Sequence, residues 1–115
     1  MSKKTAIRAQ WETVRTLAFG SISGTFMGVG TVFDNPARNL IIQNFTDVTL
    51  DFSDDGVDTK FKLIPNSLFV WDITTNKSNE TGFFIPEGAR IYVKRVGSAA
   101  TEGEVSVSVS YGSID

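Results

Sequence analysis

The chain has 115 residues, 41% of them hydrophobic and 21% charged, with eleven Lys and Arg against thirteen Asp and Glu for a formal charge of −2. It holds no cysteine and no histidine, which excludes a disulfide framework, a thiol nucleophile, an imidazole base, a Ser/His/Asp triad and the ordinary zinc ligand sets. The length suits one domain able to bury roughly two-thirds of its unfolded surface, and no run approaches the ~18 apolar residues of a membrane-spanning helix.

Charge is uneven along the chain. Residues 1–15 carry Lys3, Lys4, Arg8 and Arg15 against Glu12 alone, and the rest is net acidic. Residues 1–12 show neither helical nor strand periodicity and are expected to form an N-terminal arm, with the sandwich domain running from 13 to 115. Trp11 closes the arm and is a costly residue to leave loose. Thr5-Ala6-Ile7-Arg8 follows Lys3-Lys4 without an apolar signal core, so synthesis and folding in the cytoplasm are expected.

From Thr13 the apolar period is two. Val14, Leu17 and Phe19, then Ile22, Phe26 and Gly28, predict a strand pair or one bent strand, with Gly20-Ser21 at the shift in phase. Asp34-Asn35-Pro36 is a turn signal. Leu40-Ile41-Ile42 has the continuous apolar character of a strand covered on both faces. Val48, Leu50 and Phe52 alternate with Asp47, Thr49 and Asp51 as a half-buried strand. Asp54-Asp55-Gly56 is a hairpin signal, with Phe61 and Leu63 on the partner strand.

Pro65-Asn66-Ser67 turns the chain into Leu68–Ile73, apolar on both faces and containing Trp71. A polar loop over Thr74–Gly82 leads to Phe83-Phe84-Ile85 and the turn Pro86-Glu87-Gly88. Ile91 and Val93 belong to a further strand. In the last strand Val105, Val107, Val109 and Tyr111 face one way and Ser106, Ser108 and Ser110 the other. About eight short strands with turns every 8–12 residues predict an all-β antiparallel sandwich, jelly-roll-like or Ig-like, with an extended N-terminal arm.

No constellation points to catalysis, and the chain is expected not to be an enzyme. Asp51, Ser53 and Asp55 with Gly56 imitate a calcium loop, but position twelve is Lys62 where a bidentate Glu is needed, and the flanks are strands. An Asp-rich hairpin turn explains these residues better, and neither metal nor cofactor is expected. Glu80, Glu87, Glu102 and Glu104 scatter among loops rather than forming a carboxylate pair. Asn44-Phe45-Thr46, Asn76-Lys77-Ser78 and Asn79-Glu80-Thr81 match the glycosylation acceptor pattern without a secretory signal to give it meaning. Lys60, Lys62, Lys94 and Arg95 could form a basic patch, but the net acidic domain and core-phased aromatics argue against a nucleic-acid groove.

The runs Pro36-Ala37-Arg38 into Leu40-Ile41-Ile42-Gln43-Asn44, Ser53-Asp54-Asp55-Gly56, Leu63-Ile64-Pro65-Asn66-Ser67, Asp72-Ile73-Thr74-Thr75-Asn76 and Phe84-Ile85-Pro86-Glu87-Gly88 before Ile91-Tyr92-Val93-Lys94 form a recurring style of sheet. In that style the chain from Trp11 to Gly112 resembles the small β-sandwich virion proteins of tailed bacteriophages. The resemblance implies a structural role in the virion, as a capsid decoration (cement) protein or a head-tail neck or tail component. Its partners would be other virion proteins (capsid, portal, neck or tail subunits) and copies of itself, with no specific nucleic acid and no membrane. The arm, through Lys3, Lys4, Arg8, Trp11 and Arg15, is the expected contact element, ordering on assembly. The alternative is a module that binds a small ligand or carbohydrate through loops such as Thr74–Gly82 and Gly97–Gly103, with Trp71 or Tyr92 lining a pocket.

Overall fold

The computed structural model describes the backbone of residues 7–72 and 85–114, and the side chains of 9–72 and 85–112. Two antiparallel sheets pack as a sandwich, as the strand spacing predicts. The larger sheet contains β1 (Ile7–Trp11), β2 (Arg15–Ala18), β4 (Asn39–Asn44), β7 (Ser67–Asp72) and β9 (Glu104–Ile114). The smaller contains β3 (Met27–Gly28), β5 (Leu50–Ser53), β6 (Phe61–Leu63) and β8 (Tyr92–Arg95), in the order β3-β8-β5-β6.

β9 organises the larger sheet. One edge pairs with β4, Val105 to Ser110 against Asn44 to Asn39, and β4 pairs onward with β7. The other edge takes β2 against residues 104–107 and β1 against 110–114. β1 and β2 are thus two halves of one edge strand, broken at residues 12–14. The expected arm is partly sheet: residues 7–11 are a strand, and residues 1–6 lie outside the described residues.

Alternation sets which side chains enter the core. Val105, Val107 and Val109 of β9 face Leu50 and Phe52 of β5 and Val93 of β8 across the sandwich, with Leu40 and Ile42 beside them, all buried. Each such side chain removed from water contributes about 1.5–3 kcal/mol. Phe33, Val29, Ile91 and Ile85 close the core from the 29–37 and 85–91 segments, which run antiparallel through Val29 N–H to Ile91 O, Phe33 N–H to Ala89 O and the Ala37–Ile85 bridge. Gly103, at φ +93°, lies so close to the Phe45 carbonyl that no side chain fits.

Two expectations are corrected. The stretch from Thr13 to Gly28 is neither one bent strand nor a pair: β2 ends in a 3-10 turn over Phe19–Ser21, and β3 belongs to the other sheet. Gly20 marks a crossing between sheets. Leu68–Asp72 is not covered on both faces. Among the described residues β7 is an edge strand, and Leu68, Val70 and Trp71 are 56%, 53% and 48% exposed. A run apolar on both sides records what the strand could bury, not what covers it.

Candidate interaction surface

β9 is eleven residues long, and its register with β4 stops at Ser110. Beyond that point, among the described residues, it pairs with β1 alone. Residues 7–11 and 110–114 therefore form a two-stranded ribbon that continues past the end of the sandwich. Tyr111 Oη donates to Gln10 Oε1 across this ribbon at 3.0 Å. Trp11, opposite Ser110 at the root, is 56% exposed.

The root of the ribbon is fastened by a charge pair. Arg15 is the first residue of β2 and points inward, opposite Val107, with 7% of its surface exposed. Its Nε donates to Thr31 O at 2.8 Å and its Nη2 to Val32 O at 2.8 Å, while Nη1 donates to Thr13 O at 3.3 Å. The guanidinium lies 5.2 Å from the Phe33 ring centroid. Nη2 also donates to Glu12 Oε1 at 2.8 Å. The Glu12 carboxylate accepts further from the Asp34 and Asn35 N–H groups and from Asn35 Nδ2. Burial pushes the Glu12 carboxyl up, but hydrogen bonds from Asn35, the Asp34 N–H and Arg15, with the Arg15 charge, outweigh it and hold the carboxyl below its ordinary value.

A cleft of about 540 Å³ opens beside this clasp, between Trp11, Val14 and Tyr111 on one side and Thr31, Asp34 and Asn35 on the other. Asp34 is 77% exposed there.

The outer face of the larger sheet follows from the registers. Cross-strand neighbours share a face, giving the rows Thr16–Ser106–Gln43–Leu68, Ser108–Ile41–Val70 and Trp11–Ser110–Asn39–Asp72. Across these three rows the single charge is Asp72, at a corner. Ser106 Oγ donates to Gln43 Oε1 at 3.0 Å and Asn39 Nδ2 to Ser110 Oγ at 2.8 Å, so the polar groups here are partly consumed within the sheet. A charge-poor face with exposed Leu68, Val70 and Trp11 is suited to contact with another protein.

A second, smaller cleft of about 260 Å³ lies between the sheets, lined by Leu40, Phe61, Phe69, Trp71 and Ile91, with Asp54 and Lys60 at its rim. Phe61 stacks on Phe52 at 5.4 Å and meets Phe69 at 4.8 Å. Lys60 Nζ stands 3.6 Å from Asp54 and 3.5 Å from Asp55. Its volume is below the ~300 Å³ at which small-molecule sites begin.

The calcium-like run is a self-satisfied turn. Asp55 accepts from Ser53 Oγ and from the Val57 and Asp58 N–H groups, which hold its carboxyl far below the usual range. Asp51 is buried and paired with Lys62 Nζ at 2.5 Å and Thr59 Oγ1 at 3.0 Å. Among the described residues no three acids converge as metal ligands would. Asn44, in the first glycosylation-like triplet, is wholly buried and donates to Val48 O, Leu63 O and Ile64 O. The other two triplets and the Thr74–Gly82 loop lie outside the described residues.

Of the five expected contact residues, Trp11 is presented outward. Arg15 is not available for contact, because its donors are spent inside the chain. Arg8 falls in β1, but its side chain lies outside the described residues, as do Lys3 and Lys4 entirely. Tyr92 is half-buried, with the Arg90 guanidinium over its ring and Gly56 beside it. Leu68 and Val70 were not singled out as contact residues, and only their place on an edge strand reveals them. Glu12, the one acid of the basic segment, and Asn35, in a turn signal, carry no mark in the sequence of their meeting. No protein-family model matches the sequence, and a comparison with curated proteins finds no relative.

Proposed function

We propose that this chain is a non-enzymatic assembly protein that works through protein–protein contacts, in the setting its resemblance implies. That setting is the virion of a tailed bacteriophage, where it serves as a capsid decoration protein or a neck or tail component. The observation that carries this reading is the charge-poor outer face of the larger sheet, where Leu68 and Val70 stand exposed in rows with serines and Trp11 sits at the ribbon root. The absence of histidine and cysteine fits a part whose role is adhesion rather than reaction. Repetition on a particle multiplies weak contacts of this kind into avidity.

The test is mass spectrometry with immunogold labelling of particles purified from the source that carries the sequence. The expected result is the chain in each particle, in a copy number set by the particle's symmetry. Particles lacking it overturn the virion role. The second reading, a small-ligand or carbohydrate module, would act at the aromatic cleft under Trp71, whose small volume counts against it. A saturable change in tryptophan fluorescence with sugars or small aromatics, lost in Trp71→Ala, would move the assignment there.

A further inference from the structure

We infer that the cleft at the ribbon root is a binding site for a neutral, hydroxyl-rich ligand, a mono- or disaccharide. The inference goes beyond the assembly reading and does not depend on it, and the site is separate from the aromatic cleft under Trp71. At about 540 Å³ the root cleft falls inside the ~300–1,000 Å³ range of small-molecule sites, which the cleft under Trp71 does not reach. Its walls are preformed. Trp11, Thr13 and Val14 stand at the break between β1 and β2, and Thr31, Asp34 and Asn35 stand on the facing turn. Arg15 ties the first wall to Thr31 O and Val32 O, and Glu12 ties it to the Asp34 and Asn35 N–H groups. A buried ion pair is weak evidence of stability, because desolvation offsets much of its attraction. Here the pair fixes the separation of two walls, so a ligand meets a cleft that needs no ordering.

The polar groups of the lining select the ligand. Arg15 directs its donors to Thr31 O, Val32 O, Thr13 O and Glu12, which leaves no free cation for a phosphate or carboxylate. Asp34 stands 3.9 Å from Arg15 Nη2, so its charge is already matched and gives no open seat to an ammonium group. The remaining groups suit hydroxyls. Thr13 and Thr31 are exposed, and their hydroxyls have no hydrogen-bond partner among the described residues. Asn35 Nδ2 is held by Glu12 Oε2 at 3.0 Å, which leaves Oδ1 to accept. The Asp34 carboxylate, 77% exposed, accepts as well. A threonine hydroxyl both donates and accepts, whereas the amide oxygen and the carboxylate only accept. The adjacent hydroxyls of a sugar ring answer both kinds. Trp11, 56% exposed, and half-buried Tyr111 add aromatic surface on which the C–H face of a pyranose can leave water.

The test is amide-correlation NMR of the full-length chain, titrated separately with glucose, galactose, mannose, N-acetylglucosamine, lactose, maltose and chitobiose. Glucuronate and methylamine are the charged controls. At least one neutral sugar should shift the Trp11 indole N–H and the Asp34 and Asn35 amides saturably, with a millimolar dissociation constant. Neither control should. Trp11→Ala and Thr31→Val, both at exposed positions, should each weaken binding about fivefold, on the scale of one aromatic contact or one hydrogen bond. Trp71→Ala should leave it unchanged.

No shift at these residues with any of the seven sugars overturns the site. Saturable binding of glucuronate or methylamine there also overturns it, and assigns the cleft to a charged ligand. Sugar shifts gathered around Trp71 and lost in Trp71→Ala overturn it in favour of the other cleft. The assembly reading stands or falls separately, on the presence of the chain in particles.

Discussion

The Glu12 carboxylate and the Arg15 guanidinium, 2.8 Å apart and both nearly out of water, join the break between β1 and β2 to the turn at residues 31–35. Removing the carboxylate leaves a buried guanidinium short of its counter-charge and frees the Asp34 and Asn35 N–H groups. Glu12→Ala should destabilise the fold by about 2–3 kcal/mol, the worth of hydrogen bonds to a charged group. Urea unfolding of both proteins measures it. Arg15→Lys should fail to hold the site, since one ammonium cannot reach Thr31 O, Val32 O, Thr13 O and Glu12 together.

The same pair gives a pH dependence with a defined sign. Folded Glu12 binds its proton less readily than the unfolded residue, whose ordinary value is 4.5. At low pH the unfolded state therefore takes up more protons, so the clasp's contribution is complete above pH 4.5 and is lost as pH falls through the folded value. Thermal unfolding should show the gap between wild type and Glu12→Gln narrowing from pH 7 to pH 3. A gap that widens in acid would contradict the assignment.

Asn44 makes a different kind of tie. Its side chain joins the end of β4 to Val48 O, Leu63 O and Ile64 O, and its Oδ1 accepts from Thr46 N–H at 2.9 Å and Thr46 Oγ1 at 2.6 Å. The bonds cross from the larger sheet to the strands of the smaller one. Asn44→Ala strands several buried polar groups at once, each costing about 1–3 kcal/mol when unpaired. The expected loss is about 3 kcal/mol, with a lowered denaturant midpoint and an unchanged slope. Thr46→Val, which removes the hydroxyl's bonds to Asn44 Oδ1 and to Val48 but keeps the Thr46 N–H on Asn44, should cost about half as much.

The class of fold was legible in the sequence because alternation is a local property. Val105, Val107 and Val109 against Ser106, Ser108 and Ser110 declare a strand with an inner and an outer face without knowledge of its neighbours. The neighbours were not legible. Alternation names faces and not partners, so nothing in Leu68–Asp72 says that the strand ends at an edge, and nothing in Ile7–Trp11 says that it lies on residues 110–114. Arg15 shows the limit for the site. On a basic segment it has the look of a partner contact, yet its inward phase opposite Val107 and the carbonyls of a turn 16 residues away turn it into an internal brace. Trp11, one strand away, has the outward phase and stays exposed.

Val70 carries the most direct test of the proposed surface. It pairs with Ile41 in the middle row of the charge-poor face, on the edge strand among the described residues, and is 53% exposed. A lysine there keeps its stem along the sheet and its ammonium in water, so Val70→Lys should change stability by less than about 1 kcal/mol. Buried in an interface, the same ammonium loses its water, with Asp72 at the corner the one carboxylate in the adjoining rows, a penalty of several kcal/mol. The variant should therefore fold as wild type by circular dichroism and denaturant midpoint, yet be missing from purified particles. Val57→Lys, in the exposed turn after β5, is the matched control, because it adds the same charge to a 75% exposed residue outside this face. Equal incorporation of both variants would remove the outer face of the larger sheet from the contact. Loss of both would point to net charge rather than to the face.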